Sequence, residues 1–157
     1  MKRLFLLFVL IVPLLSYSQA PKKSNTIIIS TSDPEADALK KIGRVLLNEG
    51  FILETVDKDF YMLVTKIKTC TYGMGGLGDI DIKLSVTIDK TGDKSAITLT
   101  GKYNSQDFGK YTPEQFDAKA LPIECCGPKS SMGGASWLIM EGIAKKYEGG
   151  EISYFTK

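Results

Sequence analysis

The chain has 157 residues, with 20 Lys and Arg against 18 Asp and Glu, and it contains no histidine. Without histidine there is no Ser-His-Asp or Cys-His catalysis, no imidazole metal ligand and no imidazole base near neutral pH. Lys2 and Arg3 lie in the first few residues, ahead of every acid. Nucleic-acid binding needs a clustered basic footprint, and a balance this near neutrality argues against it.

Lys2-Arg3, the apolar run Leu4 to Leu15 and the small, polar exit Ser16-Tyr17-Ser18-Gln19-Ala20 have the order of a secretory signal peptide. The run is too short for a transmembrane helix, which needs about 20 apolar residues. Cleavage after Ser18 is expected, because a cut after Ala20 meets Pro21. Removing 18 of the 157 residues leaves 139, carrying 18 basic and 18 acidic side chains. That length suits one domain with one core. The expected organisation is a cleaved leader over 1–18, a flexible lead-in over 19–25 and a single domain over 26–157, secreted or periplasmic.

Ile27-Ile28-Ile29 predicts a short strand. Ser32-Asp33-Pro34-Glu35 announces a helix, with either Asp33 as its cap or Ser32 and Glu35 as a capping box. Leu39, Ile42, Val45 and Leu46 give that helix one apolar face, and Gly50 supplies a left-handed stop. Phe51 to Val56 and Phe60 to Lys68 read as strands around the Asp57-Lys58-Asp59 turn. Ile80, Ile82, Leu84, Val86 and Ile88 alternate with Asp81, Lys83, Ser85 and Thr87, a strand with one buried and one wet face. Its hairpin partner runs from Ala96 to Tyr103, across the Thr91-Gly92-Asp93 turn. Thr112 to Ala120 suggests a short helix. Ser130 or Ser131 caps another, with Met132, Ala135, Leu138, Ile139 and Ile143 on its apolar face, and Ile152 to Phe155 adds a short strand. The expectation is an α+β domain: an antiparallel sheet of about five strands with two helices packed on one face.

The segment Leu39 to Tyr103 runs from amphipathic helix through the Gly50-Phe51 exit and the Val56-Asp57-Lys58-Asp59 turn to the hairpin ending Leu99-Thr100-Gly101-Lys102-Tyr103. It resembles small secreted bacterial domains of unknown function with a TATA-binding-protein-like helix-and-sheet fold. It is also loosely similar to domains of outer-membrane assembly lipoproteins of the BamC type. The resemblance implies a fold and an envelope location, and it carries no catalytic residues. The chain has no cysteine near the leader exit of the kind such lipoproteins use for their lipid.

Three cysteines in an exported chain predict one disulfide. Adjacent Cα atoms are closer than the usual disulfide span, which favours Cys70 with Cys126 or Cys125. One thiol then remains, either a buried spare or a reactive group ahead of a helix. The glycine-rich stretch Tyr72 to Gly78 precedes a strand, where a phosphate-binding loop would open a helix. Asp57/Asp59, Asp79/Asp81 and Asp89/Asp93 lack the pattern of a calcium loop and fit turns. Trp137 reads as core. Phe60 to Val64 is apolar at consecutive positions, so Tyr61 and Leu63 are expected at a partner surface. Tyr72 and Met74 of the glycine loop, and Tyr103, Phe108 and Tyr111 near the irregular segment, are expected there too.

These readings point to a non-enzymatic binding or envelope-associated domain, with an envelope protein or a second copy as its partner. No cofactor and no nucleic acid are called for. The alternatives are an envelope enzyme or thiol-active protein at Cys125/Cys126, and a small-ligand or peptide binder on the open sheet face.

Overall fold

The alternation from Ile80 to Ile88 forms a long strand, β5 (Gly78–Thr91), which Gly92 at φ +63° turns back into β6 (Lys94–Ser105). The two pair antiparallel from Ile80↔Ser105 to Thr91↔Lys94, and this ribbon is the spine of the molecule. The computed structural model describes residues 20–72, 78–105, 112–128 and 131–156.

Each outer edge of the ribbon is shared by two strands. Along β5 lie β3 (Met62–Thr65), opposite Ser85 to Thr87, and β4 (Lys68–Tyr72), opposite Gly78 to Ile82. Along β6 lie β1 (Thr26–Thr31), opposite Ser95 to Leu99, and β7 (Leu121–Pro122), opposite Lys102 and Tyr103. β2 (Leu53–Asp57) extends the sheet beyond β3, and β8 (Gly150–Phe155) extends it beyond β1. The order is β2-β3-β5-β6-β1-β8, and every pairing is antiparallel.

The expected α+β class with an antiparallel sheet is correct, but the sheet has eight strands among the described residues, not about five. The run Phe60 to Lys68 is not one strand. At the break between β3 and β4, Leu84 N donates to the Thr65 hydroxyl (3.0 Å) and Lys66 N to Ile52 O (2.7 Å), and pairing with β5 resumes at Lys68↔Ile82.

Register places Ile27, Ile29, Ile97, Leu99, Leu84, Val86, Ile88 and Leu63 on one face, all buried. Two helices close that face. α1 (Glu35–Asn48) contributes Ala38, Leu39, Ile42 and Leu46, and α3 (Met132–Lys145) contributes Ala135, Trp137, Met140, Ile143 and Ala144. Each large aliphatic side chain buried this way contributes about 1.5–3 kcal/mol of transfer free energy. Gly101 is required at the centre of this face. A Cβ there would lie 2.7 Å from both Leu84 Cδ2 and Ile123 Cδ1.

A third helix, α2 (Pro113–Lys119), sits on the other face. Its start is set by a capping box: Gln115 N donates to Thr112 Oγ1 (3.3 Å) and Thr112 N to Gln115 Oε1 (3.0 Å). Asp117 pairs with Lys83 (3.4 Å) and Lys102 (3.9 Å), which oppose each other across β5 and β6 and point away from Leu84. Helices therefore cover both faces of the sheet, not one.

Two local expectations are also corrected. Neither Asp33 nor Ser32 caps α1: the N-cap is Pro34, with no side-chain hydrogen bond. Asp33 instead reaches across to Lys41 and Tyr147. On α3, Ser131 is the cap: its hydroxyl accepts from Gly134 N (3.1 Å) and donates to Pro128 O (2.7 Å). The buried stripe is rotated from the expected one, with Trp137 and Met140 inward and Leu138 42% exposed.

Candidate functional site

The wet face of the spine is a surface that the core does not claim. Residues Ser85 and Thr87 of β5, Thr98 and Thr100 of β6, Met62 and Val64 of β3, and Ile28 of β1 alternate with the buried set and therefore share this face. A groove of about 360 Å³ crosses it. Ser85, Thr100, Thr26 and Val64 form its floor, and Asp117 of α2 and Pro122 of β7 stand at its wall. Lys83 is mostly buried in this wall, 17% exposed, between Glu54 and Asp117, each at 3.4 Å. The groove therefore offers hydroxyls and short apolar patches, with Lys83 paired to two carboxylates and the more exposed Lys102 3.9 Å from Asp117.

The residues expected at a partner surface lie elsewhere. Leu63 is 1% exposed, within the core, so no partner reaches it; its pairing with Val86 turns it toward α1. Tyr61, Tyr72 and Tyr103 are half-buried and pack against the same core. Tyr103 lies opposite Ile82 and beneath α3, where a Cβ on Gly133 would meet its hydroxyl at 3.1 Å. The apolar run of β3 is explained by this arrangement: Leu63 faces the helices, while Met62 and Val64 face the groove side. Met74, Phe108 and Tyr111 lie outside the described residues, as do residues 1–18, where a cleaved leader is expected.

The cysteines also depart from expectation. Cys125 is bonded to Cys126, its chain neighbour, and Cys70 is a free thiol. Topology explains why Cys70 is excluded. Cys125 N donates to Ser24 O (2.7 Å) and Lys23 N to Cys125 O (2.8 Å), so the pair is fastened to the lead-in of β1 on the β6 side. Cys70 lies on β4, on the β5 side. From β4 across the ribbon to β7 is three strand spacings, about 14 Å, beyond disulfide reach. Burial pushes the Cys70 thiol pKa up, Lys68 opposing and Asp81 adding to the shift.

Asp57 is a turn residue as expected, accepting from Asp59 N (2.9 Å) and Phe60 N (3.0 Å). Asp79 and Asp81 instead accept cross-strand hydroxyls from Thr71 (2.8 Å) and Thr69 (2.7 Å). No cluster of three or more Cys, Asp or Glu able to hold a metal occurs among the described residues.

No protein-family model matches this chain, and no curated protein matches it either. The site must therefore be read from its own residues. No helix among the described residues is long and apolar enough to cross a membrane.

One polar cluster serves stability. Tyr147 OH donates to Asp33 Oδ2 (2.7 Å), Lys41 Nζ lies 3.0 Å from the same oxygen, and Lys41 sits over the Tyr147 ring at 4.6 Å. The Tyr147 hydrogen bond first, then Lys41, hold the Asp33 carboxyl below its ordinary value, against a smaller opposing effect of burial. Burial, then Asp33, push the Tyr147 phenol up. A carboxyl with a lowered folded pKa adds stability above its unfolded pKa of about 4 and loses it as pH falls through the folded value. Asp33→Asn should therefore melt below wild type at neutral pH, with the gap narrowing below about pH 4. Thermal melts across pH read this directly; a gap that is constant with pH would mean that the charge on Asp33 does not contribute.

Proposed function

We propose that this chain is a non-enzymatic binding domain exported to the periplasm or cell exterior, and that it holds an extended peptide segment of an envelope protein on the open face of its sheet. The leader-like N-terminus, the resemblance to envelope domains and the absence of histidine support the first part. The groove across Ser85 and Thr100 carries the second. Its volume, about 360 Å³, falls at the lower end of ligand-pocket sizes, but it is an open trough and not an enclosed cavity. Such a trough suits a chain that crosses it. Its hydroxyls can bond a peptide backbone, and Val64 and Pro122 can pack against alternate side chains. A face of this kind has little to offer a buried apolar ligand.

Selection from a random-peptide display library tests the reading. Enriched peptides should bind the wild-type domain and lose about ten-fold or more in affinity on Thr100→Arg, equivalent to about 1.4 kcal/mol or more. Leu47→Arg, on exposed α1 surface, should leave binding unchanged. Peptides that bind Thr100→Arg as well as wild type would place the contact elsewhere and refute the reading.

A further inference from the structure

The vicinal disulfide has features that a structural staple does not need. A cross-link stabilises chiefly by closing a loop in the unfolded chain, and the gain grows with loop length. Cys125 and Cys126 enclose no intervening residue. The fastening of this segment is done by backbone bonds to Ser24 and Lys23, which do not require the sulfurs.

The two sulfurs are also unequal. Cys125 is 6% exposed and packed into the core, whereas Cys126 is exposed. Both border a groove of about 540 Å³ that runs along α3 past Trp137 and Leu138, with Lys22, Glu141 and Lys145 among its lining residues, and Cys126 is the more exposed of the two in it. An incoming thiol therefore has a more open approach to Cys126 than to Cys125. The Ala20 carbonyl oxygen lies 3.4 Å from Cys126 Sγ and 3.7 Å from Cys125 Sγ. In the disulfide neither sulfur carries a proton to donate. In the dithiol both do, so an acceptor for the reduced form is already in place.

We propose that Cys125–Cys126 is a thiol–disulfide exchange site at which an external thiol attacks Cys126. A bond forms between the incoming sulfur and Cys126 Sγ, and the Cys125–Cys126 bond breaks. Its electron pair leaves on Cys125 Sγ, which takes up the proton given up by the incoming thiol. A second thiol then attacks the incoming sulfur of the mixed disulfide, forming the external disulfide and freeing Cys126. Two external thiols are oxidised, and one protein disulfide becomes two thiols. Cys70 takes no part, being half-buried on the far side of the ribbon. The external thiol is either a small molecule or a cysteine of a peptide seated along α3. The site does not depend on the open sheet face.

The test treats the oxidised wild-type protein with reduced glutathione in one arm and with a blocked Leu-Cys-Lys peptide in the other. Acid quenching and fragmentation mass spectrometry then locate the adducts. The expected product is a mixed disulfide on Cys126 with Cys125 as a free thiol. A faster reaction with the peptide assigns the site to protein thiols, and a faster or equal reaction with glutathione assigns it to small thiols. Cys125→Ser should accumulate a stable adduct on Cys126 from oxidised glutathione, while Cys126→Ser should react about ten-fold or more slowly, access being the controlling factor. Trp137 fluorescence checks that both variants are folded. Adducts confined to Cys125 or Cys70 would overturn the proposal. So would a wild-type disulfide left intact at thiol concentrations that reduce oxidised cystine.

Discussion

Replacing Trp137 with alanine is expected to lower the midpoint of thermal unfolding by about 10–20 °C, from a loss of about 3–5 kcal/mol. Trp137 is the only tryptophan of the chain and 4% exposed. It lies on α3 with its ring 5.9 Å from that of Tyr154 on β8, and Tyr154 OH donates to Glu141 Oε1 (2.8 Å) one turn further along the helix. Burial first, then Glu141, push the Tyr154 phenol up to about 12, which keeps it a donor at any ordinary pH. The indole therefore fills the space between helix and edge strand, and the polar contact beside it sets their alignment. Removing the ring leaves a cavity that neither element can close without breaking that contact. Circular dichroism melts measure the effect. A fall of less than about 4 °C would mean that α3 is not docked on the sheet as described.

Phe116→Ala should act locally and strongly. Phe116 is fully buried, yet it belongs to a helix of only seven residues, too short to persist without tertiary support. The ion pairs of Asp117 with Lys83 and Lys102 involve partly exposed groups, so they contribute at most about 1 kcal/mol. The aromatic ring is the larger anchor, at about 3 kcal/mol or more. Its loss should open α2 about 100-fold more often, while the spine stays closed. Amide exchange gives the comparison. Ala120 N, which donates to Phe116 O (2.8 Å), should exchange about 100-fold faster. The amides of β5 should change little. Equal acceleration at both would show that α2 is part of the global core.

Much of the fold is legible in short-range pattern. The strand from Ile80 to Ile88 needs only period two, and α1 needs only period 3.6 with Gly50, at φ +75°, as its stop. The strands that escaped prediction owe their existence to partners. β4 restarts after a break that a threonine hydroxyl bridges, and β7 is two residues long and paired only with β6. Local sequence carries no signal for either.

The site was harder to read for a related reason. Whether Leu63 or Val64 faces the helices depends on the register of β3 against β5, and a shift of one residue exchanges the two faces. The hydroxyl of Ser85 is legible as part of the wet half of an alternating strand, and Thr98 and Thr100 join it through the register of β5 against β6, but the groove exists because α2 and β7 wall it in. The rotation of the α3 stripe has a packing cause: Gly133 and Gly134 let Tyr103 and the Gly127-Pro128 loop approach the first turn, where a Cβ on Gly134 would meet Pro128 O at 2.2 Å. The bridge between neighbouring cysteines follows from the two sides of the ribbon, which spacing along the chain does not reveal.

The most direct measurement is a methyl and amide shift titration of the isotope-labelled domain with a peptide enriched in the display selection. Shifts should concentrate at Ile28, Val64, Ser85, Thr98 and Thr100, with Asp117 of α2 following. A competing hollow of about 200 Å³ lies between α1 and β2, bordered by Leu39, Leu47, Leu53 and Val56. Shifts centred there, with the groove unperturbed, would contradict the assignment of the open sheet face as the working surface.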